Sequence, residues 1–260
     1  MPRTSHRVLN KLLPVQAKML LKRGAISVIP SMRHLDEPSR LFALMRAGLR
    51  PAVVYDIGSA HGAWARLARS VWPAAQIVGF EPNLRERESL ERTAAEIGNY
   101  EFHFCFLGSE RGEIEYTDQG TQTSALRPHD AGSFMPAGVA SRRGDRATSP
   151  VLVIDELIEE GKAPAPSFLK LDVQGYELEV LKGAERAMAG ADGLLLEISL
   201  IDFLDAGMPL LGDVIRFMGE RGFVVYDIVS EIRRVSDDAL LQLDAIFLPS
   251  NSPLRSEPIR

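Results

Sequence analysis

A strand, a glycine-containing loop and a helix follow one another between residues 52 and 72, and they decide the fold class. The stretch reads Ala52-Val-Val-Tyr-Asp-Ile57 and continues as Gly58-Ser-Ala-His-Gly62. The first part is nearly all apolar, which predicts a strand buried on both faces. A helix is predicted from Ala63 to Trp72, and Pro73 ends it. Glycine permits the tight bend between the two elements and lets a ligand approach the backbone closely.

Short apolar runs alternate with helical patterns along the rest of the chain. Strands are predicted at Gln76–Glu81, Phe102–Leu107, Glu113–Thr117, Val151–Ile154, Phe168–Val173, Gly193–Ser199, Phe223–Ile228 and Ala245–Leu248. Helices are predicted at Leu84–Ile97, Asp155–Gly161, Glu177–Met188 and Leu210–Arg221. This alternation predicts a doubly wound α/β fold, with helices on both faces of a mainly parallel sheet. Residues 118–149 lack periodicity and predict a long loop.

Composition excludes several classes of protein. The chain has 260 residues, of which 45% are hydrophobic and 25% charged, as in ordinary globular proteins. Its single cysteine, Cys105, excludes a disulfide framework and a multi-cysteine metal site. No apolar run reaches the ~18 residues of a membrane-spanning helix. The N-terminal residues lack the pattern of a secretory signal, so we expect a cytoplasmic protein.

Charge is distributed unevenly along the chain. Residues 1–50 hold ten Lys and Arg against two acidic residues, although the whole chain carries a net charge of −5. We therefore predict a basic helical extension over 1–50, a main domain over 51–249 and a flexible tail over 250–260. The favoured interpretation of the extension is packing on an acidic core, and contact of residues 1–24 with a membrane surface is less favoured. No aromatic residue interleaves the basic residues of 1–24, so we expect no nucleic-acid partner.

The glycine loop indicates the class of cofactor. Asp56 precedes it in the pattern Asp-x-Gly-x-x-x-Gly, which is neither the dinucleotide fingerprint nor a phosphate loop. The helix that follows presents free N–H groups at its start. Glu81 ends the second strand, where an acid accepts hydrogen bonds from ribose hydroxyls. These features favour a nucleoside ligand without phosphates. S-adenosylmethionine fits, because it combines adenosine with a sulfonium cation and an amino-acid end.

The stretch from Phe168 to Ala184 is the most specific in the chain. It reads Phe-Leu-Lys-Leu-Asp-Val-Gln-Gly-Tyr-Glu-Leu-Glu-Val-Leu-Lys-Gly-Ala. Together with residues 53–62 and with Val78-Gly-Phe-Glu-Pro82, it resembles the FkbM-type S-adenosylmethionine-dependent methyltransferases. Their usual form is Ile-Lys-Ile-Asp-Val-Glu-Gly-x-Glu, so Gln174 stands where that family more often has glutamate. The resemblance covers roughly residues 52–200.

The resemblance implies a seven-stranded class I methyltransferase fold of the Rossmann-like type. It also implies O-methylation of a hydroxyl on a small molecule or glycan, such as a sugar or a secondary metabolite. The predicted cofactor residues fall into three groups along the chain. They are Asp56, Gly58, Ser59 and Gly62 for the methionine end, Glu81 and Pro82 for the ribose, and Leu107, Gly108 and Ser109 for the adenine. Asp172 is also predicted to contact the cofactor.

Asp172 is predicted to lie beside the transferring methyl group, where it would orient the acceptor or take its proton. Glu197 on the next strand would join it, and His61 in the glycine loop is a further candidate base. The alternative for Asp172 is a structural carboxylate that caps the following loop. No metal site is predicted, and a divalent cation between Asp172 and Glu197 is the less favoured interpretation. A noncatalytic cofactor-binding or protein-interaction module on the same fold is the alternative function.

Overall fold

A seven-stranded sheet forms the centre of the molecule and confirms the predicted fold class. The computed structural model describes residues 36–117, 146–202, 207–234 and 236–256. Side by side, the strands are β3 (Tyr100–His103), β2 (Gln76–Phe80), β1 (Val53–Ile57), β7 (Phe168–Leu171), β8 (Gly193–Ser199), β10 (Leu240–Pro249) and β9 (Phe223–Arg233). The first five are mutually parallel, whereas β10 runs antiparallel to both of its neighbours. The strand order reverses direction at β1.

Helices cover both faces of this sheet. They are α1 (Glu37–Ala47), α2 (Ala63–Val71), α3 (Arg87–Ile97), α4 (Ile154–Glu159), α5 (Glu177–Lys182), α6 (Glu185–Ala189) and α7 (Leu211–Glu220). A second, three-stranded sheet contains β4 (Phe106–Leu107), β5 (Gly112–Thr117) and, between them, β6 (Arg146–Leu152). Short 3₁₀ turns span Leu84–Glu86 and Pro253–Arg255.

Several element boundaries differ from those predicted. The strand predicted over 102–107 is divided between the two sheets as β3 and β4. The helix predicted over 177–188 is interrupted between α5 and α6, because the backbone of Gly183 packs directly on another segment. A Cβ atom at Gly183 would lie 2.0 Å from the carbonyl oxygen of Gly108. Strands β9 and β10 are both longer than the predicted strands Phe223–Ile228 and Ala245–Leu248, because each also includes polar residues outside the apolar run.

Side chains of the central strands point alternately to the two faces of the sheet, so the core has two layers. Tyr55 and Leu169 face one layer, which also holds the apolar residues of α5 and α7. Val54 and Phe168 face the other, with α1, α2 and α3. Side chains alternate between the faces of a strand, so the polar residues two positions after Val54 and Phe168 point toward the second layer.

Helix α1 belongs to this second layer. Leu41, Leu44 and Leu49 are buried in it, and the indole N–H of Trp72 donates to the Leu49 carbonyl at 3.0 Å. Part of the segment predicted as an extension therefore contributes to the core. Residues 1–35 of that extension, 118–145 of the predicted loop and 257–260 of the tail lie outside the described residues. Among the described helices, none is long and apolar enough to cross a bilayer.

The packing of α1 predicts the result of truncating one leucine. Leu41 is fully buried, so Leu41→Ala should lower the free energy of unfolding by about 2–5 kcal/mol. Arg46→Ala on the exposed face of the same helix should change it by no more than about 0.5 kcal/mol. Urea denaturation of both variants measures the difference, and equal effects would show that α1 does not stabilise the core.

Candidate active site

A cavity lies at the carboxyl ends of the central strands, where the strand order reverses. Ligands of doubly wound sheets bind at this position. The space between its walls, counted together with the open solvent at its mouth, is about 650 Å³. Its lining residues are Ile57, Gly58, Ala60, Phe80, Glu81, Pro82, Glu86, Cys105, Phe106, Leu107, Asp172, Val173, Gln174 and Tyr176.

The loop between β1 and α2 forms one wall of the cavity. Gly58 adopts φ +79°, and its N–H donates to the Phe80 carbonyl at 2.9 Å. A Cβ atom on Gly58 would lie 2.0 Å from the backbone oxygen of Asp172. Glycine is therefore required for the loop to pass the end of β7, so a larger residue would disturb the sheet edge as well as the cavity.

Glu81 follows β2 and lies against this loop. Its carboxylate accepts hydrogen bonds from the backbone N–H groups of Ala60 at 2.8 Å and Asn83 at 2.9 Å. Burial outweighs these bonds and raises the pKa of Glu81 to about 7. Each carboxylate oxygen has a second lone pair, so Glu81 can still accept hydrogen bonds from a ligand in the cavity.

A buried lysine holds the ends of β1 and β7 together. The Lys170 ammonium lies 3.0 Å from the Gly58 carbonyl oxygen, 3.3 Å from a carboxylate oxygen of Asp56 and 3.4 Å from one of Asp172. Burial alone would lower the pKa of Lys170, but the charges of Asp172 and Asp56 outweigh it and raise that pKa. Asp56 is fully buried behind the cavity, and burial raises its pKa against the attraction of Lys170.

Asp172 and Glu197 form a coupled pair of carboxyls beside the cavity. The side-chain nitrogen of Gln174 lies 3.0 Å from Asp172 Oδ1 and 2.8 Å from Glu197 Oε2. Burial and the Asp172 charge raise the pKa of Glu197 to about 10. Burial opposes ionisation of Asp172 too, but Lys170 and the hydrogen bonds from Glu197 and Gln174 hold its pKa below the usual range. Glu197 therefore keeps a proton at neutral pH, and Asp172 is the ionised member.

Glu177 stabilises the turn that carries Asp172 and Gln174. One carboxylate oxygen of Glu177 accepts from the backbone N–H groups of both Val173 and Gly175 at 3.1 Å. Burial raises the pKa of Glu177 to about 7. This carboxylate stabilises the loop rather than facing the cavity.

Some of the predicted site residues line the cavity and others do not. Gly58, Glu81, Pro82, Leu107 and Asp172 line the cavity. Asp56 is buried in β1, Ser59 and Gly62 are buried in the loop that follows it, and Glu197 lies next to Asp172 without lining the cavity.

Three other predicted residues lie outside the lining. The aromatic ring of Tyr176 packs close to Gly108, and the Ser109 hydroxyl donates to Glu179 at 2.9 Å. His61 is exposed, and its backbone carbonyl accepts a hydrogen bond from Arg66. The location of His61 gives no support to a role as base, so Asp172 is the better placed candidate.

Comparisons with known proteins agree with this architecture. The family model described as "Methyltransferase FkbM domain" matches residues 56–225. The chain belongs to the FkbM methyltransferase family. The matched domain is that of a methyltransferase, and the cofactor of this domain is S-adenosylmethionine.

Individual relatives are more distant. The hexuronic acid methyltransferase AglP of Haloferax volcanii is 28% identical over 150 residues, which are 56% of this chain and 55% of AglP. The chain thus matches about half the length of this curated relative. An FkbM methyltransferase from Methylobacillus flagellatus has 19% identity and a TM-score of 0.47, over 75% of this chain and 43% of that one. Magnesium protoporphyrin IX methyltransferase from Synechocystis has 14% identity and a TM-score of 0.45, over 82% of this chain and 78% of that one.

The residues present are suited to this cofactor. Asp56 is a fully buried carboxyl behind the cavity, and the Lys170 ammonium is its partner at 3.3 Å. Glu81 offers free acceptor positions for hydroxyl groups, while Phe80, Phe106 and Leu107 add apolar surface to the lining. Negative charge favours a sulfonium cation, which no phosphate-binding loop would do.

The position of Lys170 predicts the effect of removing its charge. Lys170→Met leaves Asp56 and Asp172 without their cation, and breaking such a buried pair should lower the free energy of unfolding by about 3–5 kcal/mol at pH 7. The deficit should shrink at pH 5, because an unpaired carboxylate takes up a proton there.

Lys182→Met is the matched control, since Lys182 is exposed and pairs only with Glu179 among the described residues. It should cost no more than about 1 kcal/mol. Denaturation at both pH values measures the two effects. A Lys170→Met loss no larger than that of the control would show that the buried lysine does not hold the sheet edge.

Proposed function

We propose that the protein transfers the methyl group of S-adenosylmethionine to a hydroxyl oxygen of a sugar or glycan building block. The observation that carries this proposal is an ionised carboxylate, Asp172, on the cavity wall at the end of β7. A hydroxyl acceptor must lose a proton during transfer, and a carboxylate within reach supplies the base. The name of the relative AglP, a hexuronic acid methyltransferase, supports a sugar as acceptor.

The lining residues suggest how the cofactor is held. Glu81 would accept hydrogen bonds from the ribose hydroxyls, beside Pro82. Phe80, Phe106 and Leu107 would offer apolar surface to the adenine. The glycine loop, with Asp56 buried behind it, would hold the methionine end. When bound, the cofactor supplies an already activated methyl group, so the protein has mainly to align the acceptor and remove its proton.

Asp172 favours a hydroxyl over a carboxylate as the acceptor group. A carboxylate acceptor needs no base and would be repelled by the charge of Asp172. A hydroxyl both needs the base and forms a hydrogen bond with it. Lys170 lies 3.4 Å from the other side of Asp172 and keeps that base ionised. Glu197 keeps a proton beside it and compensates part of the charge.

Calorimetry with S-adenosylhomocysteine tests the role of Glu81. Glu81→Gln should weaken binding by about 1.5–3 kcal/mol, the range for hydrogen bonds to a charged group. Because the pKa of Glu81 is about 7, affinity of the unaltered protein should rise between pH 6 and pH 8 as this carboxyl ionises.

Two variants control this measurement. Glu88→Gln, an exposed carboxyl in the first turn of α3, should retain both the affinity and its pH dependence. Glu81→Gln should lose the pH dependence. A folded Glu81→Gln protein that binds as well as the unaltered one would remove Glu81 from the cofactor site.

Turnover assays with labelled S-adenosylmethionine and pooled sugar acceptors test Asp172. Asp172→Asn should lower turnover by ~10²–10⁴-fold, the usual contribution of one acid–base group. Cofactor affinity should change much less, since the loss falls on the transition state. Asp192→Asn, an exposed carboxyl at the opposite end of β8, is the control. If Asp172→Asn abolishes cofactor binding and leaves turnover at saturation intact, Asp172 binds the cofactor and is not the base.

A further inference from the structure

Gln174 lies between the two carboxyls of the site and contacts both. Its side-chain nitrogen is 3.0 Å from Asp172 Oδ1 and 2.8 Å from Glu197 Oε2. An amide NH₂ group carries two hydrogen-bond donors, so each carboxyl receives one of them. The roles proposed above assign nothing to Gln174, although it lines the cavity.

The backbone around Gln174 holds its side chain in this position. Gln174 adopts φ +55°, a left-handed conformation that is uncommon for a residue with a Cβ atom. Glu177 accepts hydrogen bonds from the N–H groups of Val173 and Gly175, on either side of Gln174. Such a conformation persists where the surrounding contacts determine it. The turn therefore presents the Gln174 amide to the carboxyl pair from a fixed position.

The contacts give the two carboxyls different protonation states. Asp172 is stabilised as an anion by the Gln174 amide, by the Lys170 ammonium at 3.4 Å and by the proton of Glu197. Glu197 has no cation within ion-pair distance among the described residues and is surrounded by acids. It therefore holds a proton, and its other oxygen accepts from the Gln174 amide.

Charged and titratable groups from every neighbouring element act on this pair. They are Lys170 on β7, Asp56 on β1, Asp244 on β10, Glu177 on α5 and Glu37 on α1. Only Lys170 among them is a cation, so a third carboxyl next to Asp172 and Glu197 would face strong repulsion. Gln174 occupies that third position as a neutral donor. A glutamate there could neither donate two hydrogen bonds nor remain ionised without cost.

We propose that Gln174 is a positioning residue whose amide holds Asp172 and Glu197 as a pair that shares one proton, with Asp172 as the ionised member facing the acceptor. This inference rests on the proposed function, because it concerns the base of that reaction. In this role Gln174 forms no bond with the acceptor and acts through its contacts with the two carboxyls.

Carboxyl titration by ¹³C NMR on the full chain tests the inference without cofactor or acceptor. The lower titration midpoint of the pair, identified by its absence in Asp172→Asn, should rise by about one pH unit in Gln174→Met, the scale on which a single hydrogen bond shifts a carboxyl. Gln76→Met is the control, since Gln76 bonds Glu101 near the opposite end of the sheet and should leave the midpoint unchanged.

Gln174→Glu is the second variant, and the family motif indicates that the fold accepts glutamate here. It removes the donor and adds an acid, so it should raise the midpoint at least as much as Gln174→Met. An unchanged midpoint in either folded variant would overturn the inference. The titration requires no turnover, so its result does not depend on the proposed function. The proposed function is tested separately by the turnover of Asp172→Asn.

Discussion

The ammonium of Lys170 is the charge on which the rest of the site depends. It lies within 3.4 Å of the Gly58 carbonyl and of the carboxylates of Asp56 and Asp172, so one cation connects the ends of β1 and β7 and the glycine loop. These strands are neighbours in the sheet, and Asp56 is in register with Lys170. Burying an ion pair costs free energy. Here the buried ammonium allows two carboxylates to lie beside the cavity. In the proposed reaction, the cofactor's cation and the base for the acceptor proton would both depend on that charge.

The sequence predicts the alternation of strands and helices well, because buried strands and amphipathic helices leave periodic patterns. It predicts element boundaries less well where contacts between distant segments determine them. Nothing in the apolar run from Phe102 to Leu107 indicates that it divides between two sheets. The interruption between α5 and α6 depends on Gly183 packing on Gly108, a contact between residues far apart in sequence. Leu41 and Leu44 lie among basic residues, so charge alone led to the prediction that their segment is an extension.

The same distinction applies to the site. Residues at strand ends, such as Gly58, Glu81 and Asp172, could be identified because parallel strands bring their carboxyl ends to one edge. The sequence marks Gln174 only as a departure from the family motif. Its two hydrogen bonds depend on a left-handed turn and on Glu197 in another strand, and neither is visible in a linear pattern. Tyr176 and Phe106 were not predicted as lining residues, because they are apolar residues of ordinary spacing.

The measurement that tests this account most directly is the chemical form of the transferred methyl group. The protein would be incubated with methyl-labelled S-adenosylmethionine and a set of neutral sugars and uronic acids, and the labelled products would then be treated with alkali. Methyl ethers of hydroxyl groups survive alkali, whereas methyl esters of carboxylates are hydrolysed. We expect alkali-stable label on a sugar, because Asp172 is an ionised carboxylate at the cavity. Label released by alkali would contradict it, as would cofactor binding with no label transferred to any acceptor in the set.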